Sequence, residues 1–330
     1  MKKICTIAFV GGILLSACSK TSLTDEQLLS PPDNQVANAA NQSNQVHDIE
    51  FNQENLFPEG VVYDKFNNRF YVSSTTRGDI GIVGADGSYT PFITDPALIG
   101  STGLEIDEAR KLLYVSNSSA GSVGIYNINT GERVNFIDLK PLSPGAPFFI
   151  NDIALDPQGN AYVTNSRTPV IYKISVDGTA SIFFQDAAFA TTGFGFNGVE
   201  YGNQNGGFLL VAFSVNNQVI KFPVANPASY NIVTLNAPLA GPDGLLLSKN
   251  GKDLIVVSNA SGGNGRVTTF TSKNKWESGV AVNNFETGAV FPTTATTTGK
   301  SVFVLYAYLN RRAVGQSVYT IKQIPGTEKF

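Results

Sequence analysis

Residues 241–259 read GPDGLLLSKNGKDLIVVSN, and the pattern of that stretch recurs along the whole chain. Asp243 stands before the glycine-aliphatic pair Gly244-Leu245. Asn250-Gly251 then leads into the apolar run Leu254-Ile255-Val256-Val257, which ends in small polar residues. Asn-Gly tolerates positive φ and closes a tight hairpin between two short strands. Six such β-rich runs can be read: RFYVSS from Arg69, LLYVSN from Leu112, AYVTNS from Ala161, FLLVAF from Phe208, LIVVSN from Leu254 and VFVLYA from Val302. Each is followed by a second run of strand character: IGIVG from Ile80, VGIYNI from Val123, VIYKISV from Val170, QVIKFPV from Gln218, RVTTFTS from Arg266 and SVYTIKQI from Ser317. Short strands joined by Asp-Gly, Asn-Gly and Asn-Thr-Gly turns are antiparallel meanders. A period in the forties with about four strands per repeat predicts an all-β chain, a six-bladed β-propeller in one domain over residues 47–330.

Fourth strands are predicted from Tyr89, Arg133, Ala180 and Tyr230, with a weaker one near residues 276–283, while blade six runs out of chain after Ile324. A bare edge there would be a liability, and HDIEFNQ from His47 is a β-like run with no blade of its own. Asp48 to Asn52 are therefore predicted as the outer strand of blade six, closing the ring, with His47 an exposed residue at its start.

Composition agrees. The 330 residues are 42% hydrophobic, 11% aromatic and 15% charged, with 32 Gly and 22 Phe, which excludes disorder, collagen and coiled coil. The single histidine, His47, excludes Ser-His-Asp triads and multi-histidine metal sites, so any chemistry must run on carboxylates, amides and hydroxyls. A formal charge of −3 without basic runs argues against a nucleic-acid partner.

The first residues, MKKICTIAFVGGILLSAC, have the charged start, apolar run and small-residue exit of an export signal. Leu15-Ser16-Ala17-Cys18 resembles the bacterial lipoprotein lipobox, which implies a signal peptide over 1–17 and a lipidated Cys18. Residues 18–46 are then the lipidated cysteine and a polar, aromatic-free tether. The membrane is a partner only through that lipid. Ser19, where inner-membrane lipoproteins carry aspartate, points to the outer membrane of a bacterial cell envelope. Cys5 leaves with the signal, so the mature domain owns no thiol for redox chemistry, and a monomer is expected.

In a propeller the first strand of each blade lines the central channel. Aligning the repeats on the glycine-aliphatic pair puts Glu59, Thr102, Asn151, Asn197, Asp243 and Thr293 at one position, spaced by 43, 49, 46, 46 and 50 residues. These side chains converge on the axis although remote in sequence. Asn and Asp before glycine also occur as plain turn formers. Four such residues in register carry more: two acids in one narrow channel repel and lose hydration unless a cation neutralises them. A hard divalent cation ringed by oxygens, calcium above all, matches Glu59, Asn151, Asn197 and Asp243.

FPEGVVYD around Glu59, IND at Asn151, FNGVEY at Asn197 and GPDGLLLSKNGKDLIVVSN at Asp243 resemble the senescence-marker-protein (regucalcin), gluconolactonase and luciferin-regenerating-enzyme family of six-bladed propellers, over roughly residues 57–308. The resemblance implies a catalytic divalent metal held by Glu59, Asn197 and Asp243. It implies that Asn151 is a ligand or a substrate-binding amide, and that Asp243 is general base or nucleophile. Thr102 is expected as a channel-lining hydroxyl or substrate contact.

Two departures from the family shape the expected substrate. Where sugar-lactone members carry an arginine near the blade-three asparagine, this chain has Phe148 and Phe149, and the blade-four entry adds Phe189, Phe194 and Phe196. The histidine pair of the related paraoxonases is also missing. These rings serve either inter-blade packing or an apolar mouth, in which Phe149 and Phe196 are expected to touch substrate. The expected function is a metal-dependent hydrolase of apolar lactones or related esters. The alternative is a non-catalytic surface propeller for ligand or protein binding, with a structural metal or none.

Overall fold

The computed structural model describes residues 48–328 and 330. The signal peptide, Cys18, the tether and His47 lie outside the described residues. Among the described residues the strands form six sheets, one per blade and antiparallel but for one two-residue parallel pairing on blade five, and no helix is long and apolar enough to cross a membrane. Blades 1 to 4 are consecutive meanders whose innermost strands are Val61–Asp64, Ser101–Asp107, Ile150–Leu155 and Phe196–Gly202. Those of blades 5 and 6 are Pro242–Leu247 and Pro292–Thr297.

Closure is as predicted. Ile49–Asn52 forms the outer strand of blade six, antiparallel to Val318–Ile324, with Ile49 opposite Ile321 and Phe51 opposite Tyr319. Alternation decides its seating: Ile49 and Phe51 are buried while Glu50 and Asn52 face solvent. Phe51 stacks on Tyr319 at 5.6 Å and Tyr89 at 6.1 Å, so the closing strand binds blade six and blade one at once.

The fourth strands of blades four and five differ from the expectation. The run from Tyr230 splits at the buried Val233: Asn231–Ile232 stays with blade four, while Thr234–Leu235 crosses to pair parallel with blade five. Its partner there, Ser278–Gly288, is an 11-residue strand where the sequence signal was weak. Its exposed positions, Val280, Val282, Asn284 and Glu286, mix apolar and polar residues, which hides the strand in the sequence; Trp276 packs against it instead, its indole fully buried and donating to the Gly251 carbonyl.

The apolar core is distributed. Six buried clusters each straddle one blade interface; one joins Ile49, Phe51 and Tyr319 of blade six to Leu56, Val61 and Phe70 of blade one. At four interfaces the blades lie so close at the axis that glycine is required after the entry residue (Gly60, Gly103, Gly198 and Gly244), while blades three and six carry Asp152 and Thr294 there. A methyl group on Gly60 would lie 2.3 Å from the Thr102 carbonyl oxygen, and one on Gly198 would lie 2.3 Å from that of Asp243. Close approach, not an unusual φ, fixes the glycine-aliphatic pair.

Candidate functional site

One irregularity repeats in blades two to six. Between Ser101 and Leu104, Ile150 and Ile153, Phe196 and Val199, Pro242 and Leu245, and Pro292 and Ala295, the inner strand advances by three residues while its partner advances by two. Each is a one-residue bulge, which lifts a residue out of the ladder and re-aims it. The predicted entry residues Thr102, Asn151, Asn197, Asp243 and Thr293 all fall at these bulges, and Glu59 lies just ahead of the blade-one strand.

Glu59, Asn151, Asn197 and Asp243 meet on the wall of one cavity of about 400 Å³. All four are buried. Phe149, Phe194, Val215, Phe291 and Leu309 form its apolar side, and Ser214, Asn259 and Ser261 complete the polar one. Phe149 and Phe194 meet edge to face at 5.1 Å, and the Arg167 guanidinium lies 4.5 Å over the Phe194 ring. No lysine or arginine lines the cavity among the described residues.

Two expected contacts are corrected. Phe196 is buried in the blade three–four core against Phe189 and Phe213, because the residue before the bulge points away from the axis. Phe194, two residues earlier, takes the place on the wall. Thr102 is fully buried and off the cavity wall; its hydroxyl donates to the Ile150 carbonyl at 2.7 Å, a bond between blades two and three. Of the rings left open between packing and mouth, Phe148 stacks on Tyr172 and Phe189 belongs to the core, the packing role in both cases.

The electrostatics of the cavity are those of two acids without a counter-charge. Burial, with the charges of Asp243 and Asp152 added, pushes the Glu59 carboxyl well above its usual range. Burial raises Asp243 to about 7, opposed by hydrogen bonds from Asn259 and Asn197 and reinforced by Asp152. The Asn259 amide donates to Asp243 Oδ2 at 2.6 Å. Deeper in the channel, Asp152 is raised to about 6 by burial, against bonds from the Val199 and Ile153 amides, and Glu105 to about 8. Glu105, Asp152 and Glu200 line this narrower section, and burial also drives Glu200 upward. Sequence reasoning missed all three, because it read only the entry position and not the next turns of the inner strands.

The Asn151 amide nitrogen donates to Ser166 Oγ at 2.9 Å, which leaves its buried Oδ1 without a hydrogen-bond partner. Thr293 Oγ1 is similarly unpartnered. An orphaned buried carbonyl is costly, and one beside two crowded carboxylates fits a hard cation. No group of three or more His, Cys, Asp or Glu side chains is placed to hold a metal among the described residues, so the amides are needed to complete an oxygen donor set. Glu59, Asn151, Asn197 and Asp243 are of the right chemistry for calcium; a thiolate- or imidazole-seeking metal finds no ligand in the cavity.

No protein-family model matches the chain, and no curated protein does. Solved structures do. The Malassezia sympodialis allergen Mala s 1 superposes with a TM-score of 0.69 at 19% identity, over 86% of this chain and 98% of that one. A luciferin-regenerating enzyme gives 0.61 at 13%, over 86% and 97%. A gluconolactonase of Xanthomonas campestris gives 0.58 at 14%, over 83% and 88%. At such identities the likeness is one of fold, and the chain shares its propeller with all three.

Proposed function

We propose that the protein is a divalent-cation-dependent hydrolase of neutral, apolar lactones or esters, anchored to the cell envelope through lipid on Cys18. The observation that carries this reading is the cavity itself: two buried carboxylates, an orphaned amide oxygen and a phenylalanine wall share one space. Luciferin-regenerating and gluconolactonase propellers of the same fold lend support.

Glu59, Asn151, Asn197 and Asp243 would hold calcium, which when bound supplies Lewis-acid polarisation of a carbonyl and the counter-charge the acids lack. The chain's own groups do the rest. Asp243, oriented by Asn259 and Asn197, accepts a proton from water as that water attacks the acyl carbon, and returns it to the leaving oxygen as the ester C–O bond breaks; or it attacks the acyl carbon itself, expelling the alcohol, and water then cleaves the acyl-carboxylate anhydride. Phe149 and Phe194 seat the apolar part of the substrate and exclude water from the reacting face. The wall beyond the acids is apolar, with Phe149, Phe194, Val215, Phe291 and Leu309, which favours substrates whose remainder is neutral and apolar.

The test is metal analysis of the purified protein together with a panel of aryl esters and alkyl lactones, with and without chelator. Chelator-sensitive turnover of the apolar members supports the reading. A protein that binds calcium yet turns over no member of the panel refutes the hydrolase and leaves a binding module.

A further inference from the structure

Three residues occupy the same repeat position, three places beyond the ladder partner of the aliphatic residue that follows the bulge: Ser166 after Val163, Ser214 after Val211 and Asn259 after Val256. Each touches the entry residue of its own blade. Ser166 Oγ accepts from Asn151 Nδ2 at 2.9 Å and Ser214 Oγ accepts from Asn197 Nδ2 at 3.0 Å. In blade five the polarity reverses, and Asn259 Nδ2 donates to Asp243 Oδ2 at 2.6 Å.

Each of these groups is committed elsewhere. A serine hydroxyl owns one proton. That of Ser166 goes to the Phe196 carbonyl at 2.6 Å, and that of Ser214 to the Pro242 carbonyl at 2.5 Å. Towards the amide each hydroxyl can therefore only accept, and only a nitrogen can satisfy it. The oxygen of Asn151 is forced to the other side. By the same logic Asn259 Oδ1 accepts from the Ser261 amide at 2.9 Å, which turns its nitrogen to the carboxylate. Without such a commitment Asn151 would turn its NH₂ toward the neighbouring acids, where it gains a charge-assisted bond.

We propose that Ser166 is a positioning residue that sets the polarity of the cation ring, using a proton locked to the next blade's backbone to turn the Asn151 oxygen away from the hydroxyl and toward the cation; Asn197, whose nitrogen serves both Ser214 and the Asp243 carboxylate, takes its orientation from two partners. The proposal rests on the cation-dependent reading above. It adds that the Asn151 orientation is set between blades, since the Phe196 carbonyl belongs to the residue before Asn197 of the following blade.

The experiment compares calcium binding by isothermal titration for wild type, Ser166→Ala, Asn151→Asp and the double variant, with a thermal melt of each. Ser166→Ala should weaken calcium about three- to tenfold, the effect of one neutral hydrogen bond. A carboxylate presents oxygen whichever way it turns, so the same change on the Asn151→Asp background should cost nothing. Should Ser166→Ala melt too low to measure, the wild-type nuclear Overhauser contacts below decide the orientation on their own. Equal losses on both backgrounds would make Ser166 merely structural and overturn the proposal, as would no loss on either. A metal-free readout separates this from failure of the cation reading: nuclear Overhauser contacts from the Asn151 side-chain NH₂ to the Ser166 β-protons. If wild type binds no calcium, the cation reading fails; the contacts then keep the orientation role, and their absence removes it.

Discussion

Asp243→Asn should make the metal-free protein more stable at pH 8 than the wild type. Burial raises the Asp243 carboxyl from 3.8 in the unfolded chain to about 7 in the cavity. Between those values the folded state binds a proton that the unfolded state has released, so stability falls as pH rises through the window and the loss is complete above about 7. At about 1.4 kcal/mol per pH unit the single group contributes roughly 4 kcal/mol, and Glu59, raised in the same direction, adds to it. Asparagine removes the ionisation yet keeps an oxygen to accept from Asn259. A gain of about 2–4 kcal/mol, or roughly 3–7 °C in a domain of this size, is expected in EDTA at pH 8. At pH 4 the two proteins should melt together. Saturating calcium should erase or reverse the order, because it offsets the charge the wild type carries, and hydrolysis should fall about 10²–10⁴-fold in the variant. Melts at pH 4 and 8, with EDTA and with calcium, check all of this. An Asp243→Asn protein no more stable than wild type in EDTA at pH 8 would refute the account of two buried, uncompensated acids.

Other outcomes follow from the same geometry. Glu59→Gln removes a charged ligand from a nearly isosteric side chain and should weaken calcium by about tenfold or more by titration, with activity falling in step at fixed metal. Phe194→Ala should lower kcat/KM for an aryl ester by about tenfold, the value of one lost apolar contact, while sparing a small acetate ester. Phe51→Ala, which empties the joint between blades six and one, should cost about 3–5 kcal/mol in denaturant unfolding with little effect on calcium affinity in the surviving folded fraction. Cys18→Ser should release the protein from the membrane fraction, since two acyl chains give stable attachment where one is marginal; a variant that stays with membranes after a salt wash speaks against the anchor.

Much of the fold was legible because each blade repeats the same local instructions. The hairpin turns, the alternation in Ile49–Asn52 and the glycine forced by the approach of Gly198 to Asp243 are each written within a few residues. The blade-five outer strand was not, because its stability comes from Trp276 beneath it rather than from its own alternation. The candidate ring was legible in register but not in orientation. Thr102 and Thr293 share the entry position with Asn151, yet neither lines the cavity; Thr102 bonds the next blade instead. Phe194 and Phe196 look equivalent in one dimension and are separated only by where the bulge falls. Ser166, Ser214 and Asn259 carried a readable signal, a fixed offset from the strand run, that becomes meaningful only once the committed protons are known.

The bulges divide responsibility between two sets of residues. Because the entry residue stands outside the ladder, replacing one does not slip a strand register or flip an alternating face, and only Thr102, which bonds the next blade, also holds an interface. The ring around the axis is in that sense a set of interchangeable letters mounted on a frame indifferent to their identity. Blade two holds a threonine tied to its neighbour, blade three an asparagine with a free oxygen, and blade five an acid, all on the same backbone course. A propeller made this way can acquire, retune or lose a ligand set one substitution at a time without refolding, provided the residue three places past the strand partner changes its hydrogen-bonding polarity to match.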